Sequence, residues 1–127
     1  MTIVRGFVAA LATLALLDGF WLGLIARKFY RQSLGGRLRD KPIWAAVILF
    51  YVVQAAGIVV FPANLAGDSA SWAALYGAAF GLCLYAAYDL SNLATLRDWP
   101  IALTVVDLAW GAALTAAATA TAVLIMR

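Results

Sequence analysis

Four apolar stretches, at about residues 6–26, 43–62, 72–96 and 100–126, constrain this chain more than any other feature. Each is close to the roughly 20 residues that an α-helix needs to cross a bilayer's hydrocarbon core. They leave little sequence for anything else. The expected fold is therefore all-α, an integral-membrane four-helix bundle forming a single transmembrane domain over residues 1–127. Apolarity is continuous within each stretch, whereas the strands of an outer-membrane barrel need alternation with period two, so a barrel is disfavoured. A composition of 66% hydrophobic and 12% charged residues lies well outside the range of soluble domains.

Charge gives the expected orientation. The segment 27–42 between the first two spans carries Arg27, Lys28, Arg31, Arg37, Arg39 and Lys41 against one acid, Asp40, and so is expected to face the cytoplasm. An even number of crossings then puts both termini on the non-cytoplasmic side. Phe29, Tyr30, Leu34 and Leu38 interleave with the basic residues, so the same six cations are candidates for contact with anionic lipid headgroups. The segment is tied to the membrane at both ends, which disfavours nucleic acid as a partner. The first stretch has the basic start of a signal peptide but runs on to Ala26 and stops at Arg27 and Lys28, which suits a retained span. Pro42, Pro62 and Pro100 mark expected helix ends, and Trp44, Trp72 and Trp99 fall beside them as headgroup anchors.

Against this apolar background stand Asp18, Asp89 and Asp107, inside three of the four stretches, with no basic residue in those stretches to neutralise them. A charged side chain at the centre of a span costs roughly 2.5–3.5 kcal/mol even on insertion scales, so intramembrane carboxylates mark functional positions. Counting about 1.5 Å per residue from Arg27, Arg97 and Asp98 places all three at one level, roughly 12–14 Å inside the basic-loop end. Gln54 comes from the second span somewhat deeper. Tyr85, Tyr88, Asp89 and Asn92 follow offsets of 0, 3, 4 and 7 and share a helix face, which is expected to point inward. Thr104, Asp107, Gly111 and Thr115 form a comparable stripe on the last span. Trp21 and Trp110 each follow an aspartate by three positions. The candidate ligand or ion site is thus Asp18, Asp89, Asp107, Asn92, Tyr85, Tyr88, Gln54, Trp21 and Trp110, and a metal ion, if one binds, falls to the three aspartates. Gathered carboxylates repel, so the set is expected to hold a proton or a cation. Gly19 with Gly23, and Gly77 with Gly81, are spaced to let helices approach closely.

No cofactor is evident. The chain has no His, a single cysteine at Cys83 and no Lys within a stretch, which removes bis-His haem ligation, internal disulfides, thiolate metal clusters and an attachment point for retinal.

Four segments carry a resemblance: Leu-Leu-Asp-Gly-Phe-Trp-Leu-Gly at 16–23, Tyr-Asp-Leu-Ser-Asn-Leu-Ala-Thr-Leu at 88–96, Trp-Pro at 99–100 and Val-Asp-Leu-Ala-Trp-Gly at 106–111. They resemble an uncharacterised bacterial family of small four-helix inner-membrane proteins, known only as a domain of unknown function. The resemblance covers essentially the whole chain and implies a bacterial inner-membrane location and four spans, but no activity. The residues favour a small protein that binds or moves a proton, cation or cationic amphiphile, and four short helices favour a homo-oligomer. The alternatives are an accessory subunit of a larger membrane complex and a lipid-modifying membrane enzyme.

Overall fold

Each apolar stretch forms a helix because lipid offers no partner for backbone amides, and a helix satisfies them within the segment. The computed structural model describes residues 2–127. Helix α1 (Thr2–Phe20) continues through a wider π-helical turn at Trp21–Ile25, closed by a bond of 2.7 Å from the Ala26 amide to the Trp21 carbonyl. A short helix α2 (Arg27–Leu34) follows. The second span is α3 (Trp44–Val60) with α4 (Pro62–Ala66), which are separated by a break at Phe61. The last two spans are α5 (Ala70–Thr95) and α6 (Ile101–Met126).

Four units are long and apolar enough to cross a membrane: Thr2–Ile25, Trp44–Ala66, Ala70–Thr95 and Ile101–Met126. The chain is thus an all-α membrane protein with four candidate transmembrane helices. The first span starts earlier than its hydropathy suggests and takes Arg5 into the helix. The second runs past Pro62, because proline at the first position of α4 gives up an amide hydrogen that would have no helical partner there. Pro100 stands just before α6, and the Ser69 hydroxyl caps α5 by accepting from the Trp72 amide at 3.1 Å.

Large apolar side chains cannot decide which face turns inward, since lipid accepts them as readily as a protein core. Leu16, Leu24, Ile48, Val53, Leu75 and Val105 accordingly face outward. The core is built from small residues, Ala10, Ala55, Ala118 and Ala122 among them, with Leu14, Ile58 and Leu114 filling the gaps. Helix α6 is the central element: it packs most extensively on α5, next on α1, and only lightly on α3, which leans on α1.

The two glycine pairs part company. On α5, a Cβ added at Gly77 would come within 2.7 Å of the Thr115 carbonyl, and one at Gly81 would strike the Gly111 carbonyl. This pair lets α5 and α6 touch backbone to backbone. Gly19 and Gly23 are exposed, with nothing within 4 Å of an added Cβ, so they do not join helices within the chain. Gly81→Leu is therefore expected to cost about 1–3 kcal/mol or more in detergent unfolding, since backbone atoms must move. Gly19→Leu should leave the unfolding midpoint unchanged.

Candidate functional site

The site lies where the C-terminal part of α1, the N-terminal part of α3, the C-terminal part of α5 and the N-terminal part of α6 meet. Because the spans alternate in direction, these four segments share the end of the bundle that carries the 27–42 loop.

Asp18 is 4% exposed and fully engaged. Its Oδ2 accepts the Tyr51 hydroxyl at 2.5 Å, and its Oδ1 accepts the Trp110 indole N–H at 2.9 Å. Three spans thus converge on one carboxylate. Both donors complete the hydrogen bonding that a carboxylate loses with its water.

Asp107 is served from outside the spans. The Tyr30 hydroxyl on α2 donates to its Oδ1 at 2.8 Å, and the Trp21 N–H reaches the same hydroxyl at 3.4 Å. Burial, with smaller contributions from the Asp107 and Asp18 carboxylates, pushes the Tyr30 phenol above its ordinary range, so it stays a hydrogen-bond donor rather than an anion.

The two Asp-x-x-Trp segments exchange partners. Spans one and four run antiparallel, so the aspartate of each lies level with the tryptophan of the other. Trp110 of α6 donates to Asp18 of α1, and Trp21 leads through Tyr30 to Asp107 of α6. The two indoles stack at 4.5 Å between ring centroids, 9° from parallel. The π-helical turn begins at Trp21, and π-helical turns are frequent at functional positions.

Asp89 differs from both. It is 1% exposed, and neither of its carboxyl oxygens has a hydrogen-bond donor among the described residues. The Asp107 carboxyl is its charged neighbour. Two carboxylates are both acceptors, so a hydrogen bond forms between them only when one carries a proton. The Asn92 amide, three positions along the same helix, does not supply the missing donor.

The three aspartates do not form a single cluster. Asp18 is closed off by Tyr51 and Trp110, while Asp89 and Asp107 form a pair. Among the described residues, no group of three or more acidic, thiol or imidazole side chains is gathered as metal ligands. Tyr85 covers Gly111 and neighbours Asp18 and Asp107. Tyr88 is exposed instead of inward and meets Trp99 edge to face at 6.0 Å. Four residues of spacing 0, 3, 4 and 7 cover too wide an arc for all to face one neighbour, and Tyr88 lies at its edge. Gln54 is buried but lies outside the carboxylate groups, donating to the Thr115 hydroxyl at 3.1 Å across the α3–α6 contact.

Two residues complete the site that the sequence does not place there. Tyr51 stands three positions before Gln54 and so shares its face. Tyr30 belongs to the half-buried face of α2, with Phe29, Ser33 and Leu34, opposite the exposed basic face.

A family model described as "Predicted membrane protein (DUF2177)" matches residues 3–124. The chain belongs to this family. No curated protein and no solved structure matches it.

In this DUF2177 protein the six loop cations have different surroundings. Arg37 points back to the protein, donating to the carbonyls of Arg97 at 3.2 Å and Asp98 at 3.0 Å. Asp98 has a positive φ of 60°, so its carbonyl belongs to a tight turn between α5 and α6. Arg37, itself exposed, thus fastens the 27–42 loop to that turn. Arg27, Lys28, Arg31, Arg39 and Lys41 are exposed.

Proposed function

We propose that this DUF2177 protein binds a proton or cation between Asp89 and Asp107 and moves it across the membrane, loading it from the face that carries the 27–42 loop. The observation behind this reading is Asp89: a fully buried carboxyl with no donor, next to a second carboxyl. Leaving a buried charged group unsatisfied costs at least about 1–3 kcal/mol, and a positive occupant removes that cost. Bundle stabilisation alone does not call for such an arrangement, because Asp18 shows how the same helices satisfy a carboxyl with their own donors.

Tyr30 provides the connection to the loop side. Its hydroxyl bonds Asp107 from α2, so a shift of α2 would uncover the pair and its return would cover it. Asp18, held by Tyr51 and Trp110, adds a further carboxyl nearby, whose acceptor oxygens favour a cation over an anion. With the basic loop in the cytoplasm of a bacterial cell, exchange would occur from the cytoplasmic side of the inner membrane.

The test is proton movement in proteoliposomes containing a trapped pH-sensitive dye. Gradients of sodium, potassium or an aromatic cationic amphiphile are imposed in turn. Wild type is expected to move protons against at least one of these cations, and Asp89→Asn and Asp107→Asn are expected to abolish it. Equal movement in Asp89→Asn and wild type would refute the proposal.

A further inference from the structure

The loop cations and the lipid-facing end of the first span meet in a feature that the carboxylate site does not use. The π-helical turn and α2 form the walls of an open groove of about 600 Å³, lined by Gly23, Leu24, Ile25, Arg27, Lys28, Arg31 and Gln32. One wall is apolar. Leu24 and Ile25 are 73% and 60% exposed and continue the lipid-facing surface of the span. The other wall carries three cations within five residues. At 100° per residue, Arg27, Lys28, Arg31 and Gln32 fall on one face of α2, and the half-buried residues Phe29, Tyr30 and Ser33 fall on the other.

We propose that this groove is a binding site for one anionic phospholipid, with the phosphate held by Arg27, Lys28 and Arg31 and the start of an acyl chain laid along Leu24 and Ile25. Charge complementarity selects the headgroup. Guanidinium groups bind phosphate oxygens in pairs and the lysine ammonium adds a point charge. The location selects a lipid over a free anion, because the apolar wall opens to the hydrocarbon region rather than to water. Gly23 keeps the floor open: an added Cβ there meets nothing within 4 Å, so a larger residue would occupy groove space without disturbing the helix. The proposal is independent of the Asp89 and Asp107 pair and is narrower than headgroup contact by the whole basic loop, since of its cations only Arg27, Lys28 and Arg31 line the groove.

The test is native mass spectrometry of the full chain in mild detergent, titrated with phosphatidylglycerol, phosphatidylcholine or inorganic phosphate. Wild type is expected to retain one phosphatidylglycerol in preference to phosphatidylcholine. Combined Arg27→Gln, Lys28→Gln and Arg31→Gln should weaken that retention roughly tenfold or more. Gly23→Leu, which keeps every charge, should also lose it. Arg39→Gln with Lys41→Gln removes charge outside the groove and should lose little. Three results would overturn the proposal: equal retention of the two lipids, equal losses in the groove and control variants, or retention undiminished in Gly23→Leu. Displacement of the lipid by an equal concentration of inorganic phosphate would overturn the lipid as occupant. Should the triple variant fail to fold, Gly23→Leu decides the matter alone.

Discussion

Asp18→Ala is expected to destabilise the protein by about 2–4 kcal/mol, the largest loss from any single substitution at the carboxylate end. The change removes the shared acceptor of Tyr51 and Trp110 and leaves two donors unsatisfied among three spans. Hydrogen bonds to a charged acceptor contribute about 1.5–3 kcal/mol each, and a stranded buried donor adds its own desolvation cost. Tyr51→Phe removes one of the two bonds and keeps the Trp110 donor in place, so its loss should be smaller, about 1.5 kcal/mol. Reversible unfolding in mixed micelles, followed by tryptophan fluorescence, measures both. The Trp21–Trp110 stack adds a second readout, since the loss of the Asp18 anchor should alter the emission of that pair. A loss in Asp18→Ala no larger than in Tyr51→Phe would show that Asp18 does not join the spans as described.

The opposite sign is expected at Asp89. Asp89→Asn replaces a carboxyl that has no donor by an amide that can itself donate to Asp107. The variant should therefore be more stable than wild type, by roughly 1–3 kcal/mol, under alkaline conditions in which the pair has lost its shared proton and no added cation replaces it, and the gain should shrink where the proton is bound. The same substitution should abolish proton exchange. A residue that weakens the fold while it remains in place is one that function retains, and this pairing of gained stability with lost activity separates a binding site from helix glue. A loss of stability in Asp89→Asn similar to that of Asp18→Ala would place Asp89 among the structural contacts.

The two aspartates differ for reasons only partly visible in one dimension. Counting residues from the charged ends put Asp18, Asp89 and Asp107 at one depth, because helix rise is fixed and the spans alternate in direction. The same counting set Gln54 deeper, where it meets Thr115. Azimuth was harder. Every span is apolar on all sides, so hydrophobic periodicity carries no inward signal, and Tyr88 turned out to be exposed beside Trp99. Likewise Gly19 and Gly23 have the spacing of Gly77 and Gly81, but only the second pair faces a helix of this chain. What spacing cannot express is which donors reach which carboxylate. Tyr30 lies 77 positions from Asp107, and Trp110 lies 92 from Asp18. Those pairings follow from the antiparallel contact of the first and last spans, which brings each aspartate level with the other's tryptophan.

The central claim, that Asp89 and Asp107 share a positive occupant, is tested most directly by infrared difference spectroscopy of the protein in lipid nanodiscs without added metal. The account predicts a protonated carboxylic acid C=O band near neutral pH that shifts in deuterium oxide, disappears in Asp89→Asn and persists in Asp18→Asn. A wild-type spectrum with only ionised carboxylates, unchanged on addition of small cations and identical to that of Asp89→Asn, would contradict it.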